Sequence, residues 1–447
     1  MRKYRVSPPI GRGSKVISVG RSEKDQGLFL GRLSEVGPGK NVCLDTSREH
    51  VVAIVGKRGS GKTHTLGVIL EGLGISEPSS ILSDNSGDRA VIVFDTLNLF
   101  QWVGVPLESA GGETAREQLN KAKSWGLPVA SLDAKLWHLA GLNPVAKDSM
   151  PLSIRVAEMG PQDWGLLMDV DITTEPMGQL VALTYDKVTR SGWGTKLERR
   201  SAIQNYSIKN LIDCINQDAE LSREFTPDTR RAVRQRLSSY EAIGLFSSSG
   251  TPLQQLAEPG KVSILLLGRV SEDLRTLVAF LIMRRLLELR FAASEAIKDS
   301  VIRGTTTSYV NVPKTWVFID EAQNIMPAKT ASIANKELTR FVREGRNFGL
   351  SMAISTQQPQ AIDAKVMSQV DILIVHTLTS QSDINYVLNN LKSAAPDMIG
   401  TERRTIGLAE AIRELEVGQC LISAVESHRV IFTEVRPRVT PHGGFEA

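Results

Sequence analysis

The sequence predicts an α/β protein built on a mostly parallel sheet. Three observations predict it. Six continuous apolar runs recur along the chain: "HVVAIVG", "AVIVFD", "KVSILLLG", "TWVFID", "LSMAIST" and "DILIVHTL". Continuous apolar runs of this kind suit strands covered on both faces, the usual condition of strands in a parallel sheet. Segments of helical periodicity separate the runs, as parallel crossovers require. The first run also leads through a glycine-rich turn into a helix, an arrangement that aims backbone N–H groups at an anion.

The elements are taken in chain order. Residues 1–47 hold short β-like pieces, "KVISVG", "LFLGRL" and "NVCLD", punctuated by Gly and Pro. They predict a small N-terminal β module, or strands decorating the α/β core. That core begins at 48, and its first part runs to 150. Residues 151–255 lack comparable apolar runs. There "LERRSAIQNYSIKNLIDCINQ" and "TPDTRRAVRQRLSSYEAIGLF" have the pattern of amphipathic helices, so an α-helical insertion is expected. The core resumes over 256–447. Past "KVSILLLG", Leu274, Leu277, Val278, Leu281 and Ile282 recur at helical spacing and predict a core-facing helix. "QCLISAVESHRVIFTEV" predicts a hairpin, and "EVRPRVTPHGG" closes the chain as a tail.

Composition narrows the function classes. The net charge of +4 over 447 residues neither demands nor excludes nucleic acid, because a local basic stripe can hide in a balanced total. Aromatic residues make up 5%, which disfavours a base-stacking platform for single strands. Cys43, Cys214 and Cys420 are far apart and form neither a disulfide framework nor a zinc-ligand pattern. No apolar run approaches the roughly 20 residues a membrane span needs. The basic N-terminus carries no apolar signal region, so a reducing, cytoplasmic setting is expected.

"GKRGSGKT", from Gly56 to Thr63, matches G-x-x-x-x-G-K-[ST] in full. A strand precedes it and a helix follows, the context a P-loop NTPase requires. Glycines let backbone N–H groups converge on phosphate oxygens. Lys62 reaches the β- and γ-phosphates, and the Thr63 hydroxyl is a Mg²⁺ ligand. The expected ATP-binding residues are Gly56, Gly59, Ser60, Gly61, Lys62, Thr63, His64 and Asp320, with Thr63 and Asp320 on the metal. Lys57 and Arg58 are expected to face solvent or a subunit boundary. "TWVFIDEAQNI" sets Asp320 and Glu321 at a strand end. Alone this is a weak signal, since many strands end in solvated acids. Beside a full phosphate loop it reads as a metal-holding Asp and a Glu that deprotonates the attacking water. A base beside the metal also argues against a small-molecule kinase.

Other residues carry two readings each. Gln357, at the end of "LSMAIST", is either turn chemistry before Pro359 or an amide contacting both phosphate and water. Arg343 and Arg346 in "VREGRNFG" are either ordinary helix-end cations or the arginine finger, with Arg346 preferred. Asp95 either supports the metal shell or caps the next helix. Arg436 and Arg438 belong either to a solvated tail or to a strap contacting nucleotide or a neighbour, and His442 is unassigned. The basic clusters at 196–200, 230–236 and 284–290 are ordinarily solvated helix faces. Lining a channel, they would grip phosphates without reading sequence.

Together, "HVVAIVGKRGSGKT", "VFIDEAQNI", "REGRNFG" and "ISTQQP" resemble the HerA/FtsK superfamily, and the HerA type most closely. "PGKVSILLLGRVSEDLRTLVAFLIMRRLLE" and the tail are similar to HerA segments too. The resemblance implies a RecA-like P-loop NTPase core, ATP and Mg²⁺, a homo-hexameric ring and movement on double-stranded DNA. By motif position, Asp320 and Glu321 are the Walker-B pair, Gln357 the sensor, and an arginine of "REGR" a finger acting on the neighbour's nucleotide. It implies coupling to a nuclease or other effector, in DNA-end processing or phage defence. Two departures stand out. The β region before the phosphate loop is reduced relative to the family's barrel. "DTLNLF" also puts Asn98 near a position where the family often has Glu. Two other functions fit the same motifs: an ATP-dependent scaffold that assembles and activates an effector, and a type IV secretion-like ATPase.

Overall fold

The computed structural model describes residues 3–7, 15–20, 27–37, 39–75, 81–84, 87–304, 312–328, 333–401 and 404–443. The chain forms two compact units. One comprises Met1–Lys135, Leu256–Thr330 and Glu337–Ala447; the other comprises Leu136–Gln255 with Ala331–Lys336.

The first unit is built on the six predicted apolar strands. They run parallel in the order Ile372–Val375, Val51–Val55, Leu350–Thr356, Thr315–Ile319, Ala90–Asp95, Val262–Leu266. Every residue of all six is buried, as their mostly apolar, non-alternating pattern predicts. In a parallel sheet all strand C-termini share one edge, so the loops that follow Val55, Ile319 and Thr356 converge. Leu350–Thr356 lies between the strand leading to the phosphate loop and the strand leading to Asp320. That places Gln357 between them.

The predicted hairpin forms Gln419–Ala424 and Ile431–Val435, antiparallel to each other and continuing the sheet past Ile372–Val375. The N-terminal strands extend it further. Leu28–Leu33 pairs with Ile431–Val435, Asn41–Leu44 with Leu28–Leu33, and Val16–Val19 with Asn41–Leu44. Of the two expectations for residues 1–47, the strands therefore take the decorating role on the core sheet. The helix predicted from Leu274 to Ile282 runs over Glu272–Arg303 and buries Leu277, Val278, Leu281 and Ile282.

The second unit is mostly helical. Pro161–Leu167, Pro176–Asp186, Ile208–Gln217, Ala219–Glu224 and Pro227–Ile243 enclose a core containing Trp164, Trp193 and Tyr206. Trp164 Nε1–H donates to the Tyr206 hydroxyl at 2.9 Å, which donates to the Met159 carbonyl at 2.7 Å, so neither buried polar group lacks a partner. Helix starts follow sequence: Ser207 and Thr226 accept from the N–H groups of Asn210 and Thr229, as N-caps do. Arg230, Arg231, Arg234 and Arg236 engage Ser222, Asp228, Asn216 and Met168 of the same unit, the pattern of a solvated helix face. Among the described residues no helix of the chain is long and apolar enough to cross a membrane.

Candidate nucleotide-binding site

The phosphate loop leaves Val55 and is tied to the neighbouring strand ends. Gly56 N–H donates to Thr356 O at 3.3 Å, and Lys57 N–H to Thr377 O at 2.8 Å. Lys57 and Arg58 are exposed, as expected. Gly61 caps the helix Lys62–Gly74 at φ 108°, a left-handed conformation that excludes ordinary side chains. The first intrahelical bond runs from Thr65 N–H to Gly61 O. The N–H groups of Lys62, Thr63 and His64 precede it and lie where a helix leaves its donors for an outside acceptor. Lys62 is buried, and its Nζ donates to the Lys57 carbonyl at 3.1 Å. Burial holds its pKa below the ordinary value, against the pull of Glu321 and Asp320. An anion in the loop would complete the neutralisation of this ammonium.

The Walker-B strand end delivers two acids with different surroundings. Asp320 is fully buried, and burial pushes its carboxyl up to about 6, with Glu321 adding to the rise. Its Oδ1 accepts from the Ser355 hydroxyl, and Thr63 Oγ1 stands 3.4 Å from the same oxygen. Its Oδ2 has no hydrogen-bond partner among the described residues. A hydroxyl beside a buried carboxylate with an unused oxygen is the donor set a hard divalent cation takes, so the residues fit Mg²⁺. Glu321 adopts φ 51°, unusual for a residue with a side chain. This turn brings its carboxylate back over the sheet edge. Gln357 Nε2–H donates to Oε1 at 2.5 Å and Gln323 Nε2–H to Oε2 at 2.8 Å. The Thr356 hydroxyl in turn donates to Gln323 Oε1 at 2.8 Å. Strain of this kind persists only where the surroundings hold it, and two amides hold it here.

Four contributors carry no sequence signal of their own. Ser355 and Gln323 orient the acids as just described. His376, at the end of a strand read only as a strand, backs the loop. Its Nδ1–H donates to Gln419 O at 2.9 Å, leaving Nε2 to accept from the Thr65 hydroxyl at 2.8 Å. Burial lowers its pKa to about 4, so the ring is neutral. The fourth, Glu71, sits fully buried on the phosphate-loop helix and anchors the chain's end. Arg436 NH1 donates to its Oε2 at 2.7 Å. Arg438 Nε, the N–H groups of Val439 and Thr440, and the Thr440 hydroxyl all converge on its Oε1. The solvated-tail reading of Arg436 and Arg438 is therefore wrong: neither side chain is exposed at all. A chain end rich in Arg and Pro looks solvated, and the acid that neutralises it lies 365 residues earlier. Gly67 permits this packing, since a Cβ there would stand 2.7 Å from the Arg438 guanidinium.

The structure thus brings together Gly56, Gly59, Ser60, Gly61, Lys62, Thr63, Asp320, Glu321 and Gln357 at one sheet edge. His64 adjoins them, but its ring turns to the tail and Nε2–H donates to Arg436 O at 2.9 Å. That leaves its backbone N–H for a phosphate. Asp95 takes neither expected role: it accepts from the N–H groups of Leu97, Leu99 and Phe100 in the turn after its strand, where no helix begins. Asn98 uses its side chain to accept from Gly268 N–H at 3.0 Å. Arg343 and Arg346 are not at this edge. Arg343 is exposed and pairs with Glu344, while Arg346 NH1 lies 3.8 Å from Asp371, which precedes Ile372–Val375. Both arginines precede Leu350–Thr356 and so stand at the opposite ends of the strands. Seven residues at about 3.3 Å each put them on the order of 20 Å from their own phosphate loop.

A parallel sheet with a phosphate loop, a Walker-B pair and an interposed sensor strand defines a RecA-like P-loop NTPase. The comparisons narrow that class. The family model of the helicase HerA central domain matches residues 28–286, more than half of the chain. The chain belongs to this HerA family. A DNA double-strand break repair helicase HerA from Saccharolobus solfataricus is 26% identical over 270 residues, 59% of this chain and 49% of that protein. Another from Sulfolobus acidocaldarius is 26% identical over 163 residues, 36% of this chain and 29% of that one. The chain thus spans half or less of the length of these curated relatives. The fold also matches that of VirB4 of Thermoanaerobacter pseudethanolicus, with TM-score 0.52, 12% identity and coverage of 92% and 97% of the two chains. It matches the conjugative coupling protein TrwB with TM-score 0.51, 14% identity and coverage of 88% and 86%.

Proposed function

We propose that the chain is an ATP-hydrolysing motor that assembles into a homo-hexameric ring and moves along double-stranded DNA. The observation that carries the reading is the five-residue set Lys62, Thr63, Asp320, Glu321 and Gln357 at one sheet edge, with Arg346 a strand length away. Lys62 and the free N–H groups of the loop bind the β- and γ-phosphates. Thr63 and Asp320 hold Mg²⁺, which supplies charge neutralisation on the phosphate oxygens. Glu321, held by Gln323 and Gln357, accepts a proton from the attacking water. Gln357 touches that base directly and so can report the state of the terminal phosphate to it.

Reach supports the ring. Arg346 cannot serve its own phosphate loop from the far end of the strands. Serving a neighbour's is the arrangement in which a finger completes a site only when subunits close together. DNA is supported by the relatives' names alone, as repair helicases. Coupling to a nuclease or other effector, in DNA processing or phage defence, is part of the same proposal. The test is steady-state ATP hydrolysis with and without linear duplex DNA, on material whose oligomeric mass is measured. The proposal expects six-subunit particles and a several-fold stimulation. Monomeric, DNA-indifferent hydrolysis would refute the motor and leave the ATP site standing.

A further inference from the structure

The segment after Val435 is held by a dense set of buried polar contacts. Glu71, Arg436 and Arg438 place three formal charges in full burial. Such clusters contribute little net stability for their desolvation cost, and in some proteins their use is to fix one arrangement. Gln118 adds a second anchor, its Nε2–H group donating to Arg438 O at 3.2 Å and to Thr440 O at 2.6 Å. What this anchoring presents is Pro441, His442 and Gly443, carried to the first turn of the phosphate-loop helix. There the His442 ring stacks on that of His64 at 6.1 Å between centroids and 24° between planes. A Cβ on Gly443 would stand 2.4 Å from the Trp102 ring, so the segment runs against that indole. Trp102 keeps 41% of its surface exposed, in a protein where aromatics are scarce.

The direction of a bound nucleotide can be read from the site. Its terminal phosphate belongs beside Asp320, Glu321 and Gln357. The phosphate chain then follows Lys62 and Thr63, and the nucleoside leaves past the N–H of His64. It meets the anchored tail there. We infer that His442, backed by His64 and flanked by Trp102, is the nucleobase subsite, with a purine base lying against these rings. Burial holds the His442 imidazole below its ordinary pKa, at about 4. The buried charge cluster then acts as a positioning device: Glu71 sets the strap, and the strap sets the base. This inference rests on the nucleotide-site reading above and adds the base to it.

The experiment is calorimetric titration of the full chain with two probes, Mg·ADPNP and magnesium tripolyphosphate, which has the phosphates without a nucleoside. The wild type is expected to bind ADPNP at least tenfold more tightly than tripolyphosphate. His442→Ala should lose about tenfold for ADPNP, the worth of one stacked ring, and less than twofold for tripolyphosphate. His442→Phe should keep most of the ADPNP affinity, which separates stacking from damage to the strap. ADPNP should quench tryptophan fluorescence in the wild type and not in Trp102→Phe, while tripolyphosphate should quench in neither. Equal losses for both probes in His442→Ala, or no loss for either, overturns the subsite. A wild type that prefers neither probe also overturns it, with the phosphate site intact. A wild type that binds neither overturns the nucleotide site itself.

Discussion

Replacing Asp320 by Asn separates the cost of burying the metal-binding acid from its use. The Asp320 carboxyl rises from 3.8 in an unfolded chain to about 6 in the folded one, chiefly through burial. That difference, about 2.2, corresponds to about 3 kcal/mol at about 1.36 kcal/mol for each pH unit. The sign follows from proton counting. Between the two values the folded state holds the proton that the unfolded state has released, so stability falls as pH rises through that window. The penalty is absent below pH 3.8, about half developed at pH 5, and fully present above about pH 6. The Asp320→Asn variant has no such dependence. It keeps the acceptor for the Ser355 hydroxyl and leaves an amide N–H₂ where Oδ2 had no partner, a fixed cost of about 1–3 kcal/mol. The fixed cost cancels when the wild-type-to-variant difference is compared across pH. Urea unfolding of both proteins at about pH 5 and about pH 8, free of nucleotide and metal, should show the variant gaining about 1.5 kcal/mol relative to wild type at the higher pH. With Mg·ADPNP present, only the wild type should gain stability from the metal. A pH-independent difference would show that Asp320 is ionised at both pH values, and that burial is not what shapes this site.

Two further outcomes are expected. Glu71→Gln removes the acid that the structure places between Arg436 and Arg438 and leaves two buried cations poorly compensated, so the first unit should lose about 3–5 kcal/mol; a loss under about 1 kcal/mol in urea unfolding would mean the strap is not anchored by charge. Lys62→Ala and Arg346→Ala subunits should each be inactive alone and regain hydrolysis when mixed, because some interfaces then pair an intact loop with an intact finger. Dead mixed rings, with mixing verified by mass and with single-interface fusions also dead, would count against the finger acting in trans.

The parallel core was legible because its six strands are apolar at most positions, with no alternation of polar and apolar residues, a pattern that depends on local residues alone. The phosphate loop was legible for a similar reason: its glycines, Lys62 and Thr63 are contiguous, and Asp320 and Glu321 end a strand. The contributors that were not legible act across long sequence distances. Glu71 is the one acid on a largely apolar, buried helix, and its partners are visible only once the tail folds over it. Ser355 sits in a strand and His376 just past one, where apolar neighbours dominate the pattern, and only the strand order brings them to the acids and the loop. Asp95 shows the same limit in reverse. A strand-end acid near the nucleotide edge suits a metal, but the next five residues turn back and take its oxygens. Arg343 and Arg346 stand just before Leu350–Thr356 in the sequence. Which end of the sheet that meant became visible only once the strand direction was known.

The central claim is that Glu321 is the base of a water-activating ATP site assembled by Lys62, Thr63 and Asp320. The most direct test is to measure Mg·ATP binding and multiple-turnover phosphate release for the wild type and Glu321→Gln on the same preparation. Glutamine preserves the shape and the contacts to Gln323 and Gln357 while removing the proton acceptor. The account predicts unchanged binding within about threefold and phosphate release reduced at least about a hundredfold. Turnover within a few-fold of wild type, with ATP still bound at Lys62, would contradict it.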